Sequence, residues 1–115
     1  MLIATTPAPP YWAVVFSSQR TAGDAEGYRR MAEAMAELAP SQEGFLGIES
    51  ARDAEGFGIT VSYWRDEACI AAWKRQAAHV AAQRAGHSRW YADFAVRVAR
   101  VERAYTLADS PRAGL

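Results

Sequence analysis

The stretch Phe57-Gly58-Ile59-Thr60-Val61-Ser62-Tyr63-Trp64-Arg65-Asp66-Glu67 alternates cleanly up to Trp64 and then stops. Phe57, Ile59, Val61 and Tyr63 fall on one side and Gly58, Thr60, Ser62 and Trp64 on the other, the period of a sheet strand. Asp66 can cap the N–H groups of a following turn, and Glu67 suits the positive end of a helix dipole. A helix is therefore predicted from about Asp66. Its apolar residues Ile70, Trp73, Ala77, Val80 and Ala81 recur at helical spacing and form one stripe. A strand running straight into an amphipathic helix is the unit from which the rest is read.

Upstream, Tyr11-Trp12-Ala13-Val14-Val15-Phe16 is apolar on both faces, which predicts a central strand covered on both sides. Thr21 to Asp24 reads as a turn, with Thr21 or Asp24 capping a first helix. Tyr28, Met31, Ala32, Met35, Leu38 and Ala39 make that helix's apolar face, and Pro40 marks its end. The second strand is Phe45 to Arg52, with a glycine at a position of close approach, and Asp53-Ala54-Glu55-Gly56 turns it back as a hairpin into Phe57. Gly86 is expected to end the second helix. Tyr91 to Tyr105 is the last strand, and its apolar phase moves from Phe94, Val96 and Val98 to Val101 and Tyr105, which reads as a bulge near Ala99. The order is strand, helix, strand, strand, helix, strand, the split β-α-β of ferredoxin-like α+β domains.

With 115 residues the chain has room for one domain. The expected division is a leader over residues 1–10, held extended by Pro7, Pro9 and Pro10, a folded domain over 11–106, and a loose tail over 107–115. Thirteen basic and thirteen acidic residues give formal net charge +0, so no basic field draws nucleic acid or an anionic membrane. The first ten residues match neither a signal peptide nor a membrane anchor, and a cytoplasmic protein is expected. The single cysteine, Cys69, excludes an internal disulfide and reads as a small buried hydrophobe. No metal is expected, because His79 and His87 are separated by a glycine and neither has a carboxylate at ligand spacing.

Gly44-Phe45-Leu46-Gly47 opening strand two, Ser62-Tyr63-Trp64 running into an acidic helix start, Trp73 followed by His79, and Val101-Glu102-Arg103 resemble the antibiotic biosynthesis monooxygenase superfamily over about residues 11 to 106. The resemblance implies a ferredoxin-like β-α-β-β-α-β sandwich that forms a dimeric α+β barrel, with a cavity between helices and sheet in each subunit. It also implies an oxygenase of small aromatic or polycyclic phenols and quinols that needs no cofactor. A non-catalytic ligand-binding or stress-related dimer of the same fold is the alternative. Haem degradation fits poorly: counting ten residues from Trp73 to the expected iron ligand gives Gln83, and the strand-one asparagine has only Ser17 and Ser18 near its place.

Oxygenation without metal or flavin requires the substrate to lose a proton and react with dioxygen as an electron-rich anion. His79 is the base candidate, since imidazole titrates near neutrality, and the Trp64 indole N–H is the candidate donor to an oxyanion. Tyr63, Trp73, His87, Trp90 and Tyr91 are the candidate substrate-binding residues, by hydrogen bonding or by sandwiching a ring. Each has a structural alternative, as core, interface or surface residue. On an unbroken helix His79 lies well off the apolar stripe, so its role needs a kink near Gln76 to Ala78. Trp64, the helix and the start of the last strand are expected near one end of the domain, around one cavity.

Overall fold

The computed structural model describes residues 3–85 and 89–109. β1 (Tyr11–Arg20) leads to α1 (Ala25–Leu38), which a single 3₁₀ turn over Ala39–Ser41, containing Pro40, brings to its end. β2 (Phe45–Arg52) and β3 (Phe57–Trp64) form the hairpin, α2 (Glu67–Ala85) follows, and β4 (Tyr91–Val101) closes the order. The four strands form one antiparallel sheet in the order β2-β3-β1-β4, so β1 is central as its two-sided apolar pattern requires. This is the ferredoxin-like α+β arrangement.

The local chemistry is that of the expected caps and turns. Asp24, at φ 51°, accepts from the Gly27 N–H at 3.2 Å and starts α1. Asp66 accepts from the Cys69 N–H at 2.9 Å and starts α2; that bond is the main reason its carboxyl is held below the usual range. In the hairpin turn the Asp53 carboxylate takes the N–H groups of Glu55 (3.0 Å) and Phe57 (2.9 Å), while Gly56 supplies the positive φ of 91°.

Two corrections concern β4. It ends at Val101, short of Tyr105, and its irregularity lies at Ala92, where Gln19 pairs with Asp93 and Arg20 with Tyr91. From Asp93 to Val101 the register against β1 is unbroken. The apolar phase changes near Ala99 because Val101 faces the buried Tyr11 on the opposite side of the sheet, so the pattern reported a change of covered face rather than a bulge.

The register sorts the two faces. Trp12, Val14, Phe16, Ser18 and Arg20 of β1 share the helix-covered face with Trp64, Ser62 and Gly58 of β3 and with Val98, Val96 and Phe94 of β4. At one end of this face Trp64, Cys69 and Ile70 form a core with Trp12, Val14, Phe45 and Trp73 packed on it. The opposite, open face carries Tyr11, Ala13, Val15, Tyr63, Val61, Ile59 and Phe57. The leader lies against part of it. The Ala4 N–H donates to Glu49 Oε2 at 3.0 Å, the Thr6 hydroxyl bonds the Tyr11 phenol at 2.9 Å, and a Cβ on Gly47 would meet Ala4 Cβ at 2.8 Å. The close approach expected of a β2 glycine is thus made by the leader.

Candidate functional site

β3 and β4 flank β1 and both run against it, so β3 ends where β1 begins and β4 begins where β1 ends. Trp64 pairs with Trp12, whereas Tyr91 pairs with Arg20. Eight residues of strand between Trp12 and Arg20 span about 26 Å at ~3.3 Å per residue. The aromatic residues expected around one cavity therefore occupy two separate clusters on the helix face.

The first cluster is closed. Trp64 is 0% exposed, stacks on Trp73 with centroids 5.6 Å apart, and meets the edge of Phe45 at 5.6 Å. Its indole N–H donates to the Ser62 hydroxyl at 2.9 Å, inside the core. That N–H is spent within the protein. Nearby, Gln42, Glu43, Arg65, Asp66, Cys69 and Ala72 line a surface recess of about 400 Å³. Burial pushes the Cys69 thiol up, and the Asp66 hydrogen bond adds to this, which keeps it in the unreactive protonated form.

The second cluster, at the Tyr91 end, is chemically richer. Tyr91 meets Phe16 edge-on at 5.4 Å and Tyr28 of α1 at 5.8 Å, and Phe16 lies against Phe94 at 5.6 Å. Burial, and then the neighbouring Tyr28, push the Tyr91 phenol well above its ordinary range, so it stays a hydrogen-bond donor at any physiological pH. The Arg20 guanidinium sits 3.9 Å from the Tyr28 ring centroid and that of Arg52 sits 5.6 Å from it. Beside these groups Phe94, Val96 and Val98 are 58%, 51% and 46% exposed, although they belong to the face that carries the helices. The layer between helices and sheet is thus open along β4, with an aromatic and polar wall at one end.

The remaining expected residues are placed as follows. α2 continues without a break through Gln76 to Ala78, and His79 is exposed on it, while Ala77, Val80 and Ala81 are partly buried. Trp90 is buried beside the second cluster as a latch: its N–H donates to Asp24 Oδ2 at 2.9 Å, and its carbonyl takes the Thr21 N–H at 2.8 Å and Arg20 Nη1 at 2.8 Å. Tyr63 is on the open face, where its hydroxyl donates to Glu49 at 2.6 Å; burial and that carboxylate raise its pKa to about 12. His87 and the helix-ending role of Gly86 lie outside the described residues. Tyr28, Phe16, Arg20 and Arg52 were not anticipated. Gly58 was the available signal, a strand glycine where another group must approach closely.

Among the described residues no three His, Cys, Asp or Glu side chains are grouped to hold a metal ion, and no helix is long and apolar enough to cross a membrane. The chain is 50% identical over 101 residues to the uncharacterized protein YqjZ of Bacillus subtilis strain 168, covering 88% of each. Its fold is similar to that of Rv0793 from Mycobacterium tuberculosis, with TM-score 0.65 and 18% identity over 83% of this chain and 99% of that one. It is also similar to a dimeric ferredoxin-like protein from Thermobifida fusca, with TM-score 0.61 and 10% identity over 87% and 100%. Residues 12–85, which carry β1 through α2 and with them Trp64, Tyr28 and both arginines, match the family described as antibiotic biosynthesis monooxygenase, and the chain belongs to that family.

Proposed function

We propose that this protein is a cofactor-independent oxygenase of a small phenol or quinol, bound on the open strip of β4 beside Tyr28 and Tyr91. The observation that supports this most is the strip itself: an exposed apolar floor of Phe94, Val96 and Val98 ending at two phenols, inside a layer that the helices otherwise cover. A phenol that is the enol of a ring ketone can supply all four electrons that dioxygen takes up. On losing its proton to solvent it reacts at the ring carbon with dioxygen; one oxygen atom stays as the new carbonyl and the other leaves as water, while the methylene of the keto form loses its two hydrogens. The protein's part is to bind the ring, donate to its oxygen from Tyr91 and hold the anion near positive charge. His79 as the base requires the substrate to reach the exposed side of α2, and Trp64 as donor requires its bond to Ser62 to open.

An oxygen electrode with anthrone, naphthol and quinol panels tests the reading. Uptake is expected with at least one of them, and Tyr91→Phe is expected to lower kcat about 10²-fold, the scale for losing one oriented donor. Variants His79→Ala and Trp64→Phe with full uptake would leave no role for those two residues. Binding without uptake by any member would favour the non-catalytic ligand-binding reading instead.

The same reading includes a homodimer. On the open face Phe57 is 47% exposed and Ile59 41%, and both helices lie on the other side, so a second copy is the natural cover for that surface. The dimeric state of the Thermobifida fusca protein is in keeping with this. Light scattering is expected to give twice the mass of one chain at micromolar concentration, and Ile59→Glu to halve it; a wild-type particle of single-chain mass refutes the dimer.

A further inference from the structure

Arg52 reaches its place by lying across a neighbouring strand. It stands on β2, opposite Gly58 of β3, which in turn stands opposite Ser18 of β1. Its Nη2 donates to Ser18 Oγ at 2.7 Å, and its Nη1 donates to the carbonyls of Ser18 and Gly56. A Cβ on Gly58 would meet the Arg52 Cζ at 2.6 Å, so any side chain there would push the guanidinium out of its present place over β3. Arg20 comes from the end of β1, gives Nη1 to the Trp90 carbonyl, and has its Cζ 3.9 Å from the centroid of the Tyr28 ring, over which the Arg52 Cζ also sits, at 5.6 Å.

Two partly buried positive charges are thereby held against one ring, within about a Debye length of each other. Among the described residues every ion pair is made by Arg29, Arg30, Arg65 or Arg100, and neither Arg20 nor Arg52 belongs to one. Both are satisfied only by neutral oxygens, and Nε and Nη2 of Arg20 have no acceptor among the described residues. An anionic oxygen accepts stronger, charge-assisted hydrogen bonds from a guanidinium than neutral carbonyls do, and the planar fork of arginine matches a carboxylate or phosphate. The apolar strip begins beside it, since Phe94 pairs with Ser18 and Val96 with Phe16.

We infer that the molecule bound on this strip carries an anionic oxygen group, a carboxylate or a phosphate monoester, seated at Arg20 and Arg52 with its flat apolar body along Phe94 and Val96. This rests on the reading of the strip as the substrate site, and it narrows the substrate to acidic aromatic compounds. The charge is complementary and the shape is amphiphilic.

Calorimetric titration of the full chain with 2-naphthoate, 2-naphthyl phosphate and the neutral 2-naphthamide tests it. At least one of the anions is expected to bind about tenfold tighter than the amide, the preference shrinking as salt is raised. Whichever anion is tighter identifies the group. In the wild type that anion is expected to shift the Arg20 Nε–H resonance, and Arg20→Gln and Gly58→Ala are expected to remove most of the preference. Equal affinity for amide and anions, or a preference that leaves the Arg20 resonance unmoved, overturns the inference. These results need no variant to fold. Anion preference without oxygen uptake from hydroxynaphthoates would refute the oxygenase reading and leave the anion site standing. Uptake from neutral naphthols without anion preference would do the reverse.

Discussion

Trp64→Ala is expected to lower unfolding stability by about 3–5 kcal/mol, the range for deleting a large buried aromatic, and so to leave the domain largely unfolded if it starts near the low end of the ~5–15 kcal/mol usual for one domain. No other large side chain among the described residues is so completely enclosed: the indole is 0% exposed, with Trp73 stacked on one side and Phe45 set edge-on at another. Trp64→Phe separates packing from hydrogen bonding. It keeps most of the ring but leaves the hydroxyl of the buried Ser62 without the donor it now accepts from. That loss is expected to cost about 1–3 kcal/mol. Urea midpoints check both figures, and oxygen uptake by the folded Trp64→Phe protein checks the role. A variant with wild-type stability and no uptake would mean that the indole meets substrate; a destabilised variant with uptake means that it holds the sheet to α2.

The elements themselves were legible because each carries its own period. The alternation of Phe57 to Trp64, the stop at Arg65 and the cap at Asp66 were enough to place β3 and α2, and the hairpin turn and central β1 followed from turn chemistry and from two-sided apolarity. What the pattern does not contain is where the ends of elements lie in space. Trp64 and Trp90 flank α2 in sequence, which invites placing them together, but a 19-residue helix advances about 28 Å at ~1.5 Å per residue and delivers the chain to the far end of the sheet. One expected cavity therefore became a sealed tryptophan core and a separate tyrosine–arginine cluster. The rest of the second cluster was not legible for a related reason. Tyr91 was among the expected residues, but its partners Arg20, Tyr28 and Arg52 come from three other elements, so no spacing along the chain announces them, and arginines scattered singly in a chain of balanced charge carry no signal of a site.

Gly44→Ala is expected to be the other costly single change, about 2–5 kcal/mol, from two causes that add. Gly44 has φ 79°, a conformation that costs an L residue ~1–2 kcal/mol. An alanine Cβ there would also stand 2.4 Å from the Cys69 Sγ and 2.9 Å from its Cβ, in a place with no slack, because Cys69 is 7% exposed and fixed in the first turn of α2. Overpacking of this kind costs ~1–3 kcal/mol. The loop cannot simply move away, since the Gly44 carbonyl takes the Arg65 N–H at 2.8 Å and the next residue, Phe45, packs on Trp64. Shifting the loop would loosen the same core that Trp64 holds. A double-mutant cycle separates the two causes. Cys69→Ala removes the sulfur and only part of the clash, so Gly44→Ala/Cys69→Ala is expected to lose less stability than the sum of the single changes by about 1 kcal/mol, with the backbone cost remaining. Strict additivity would assign the whole effect to φ, and a single-variant loss below about 0.5 kcal/mol, the level of an ordinary surface change, would show that this loop and α2 are not clamped at Gly44.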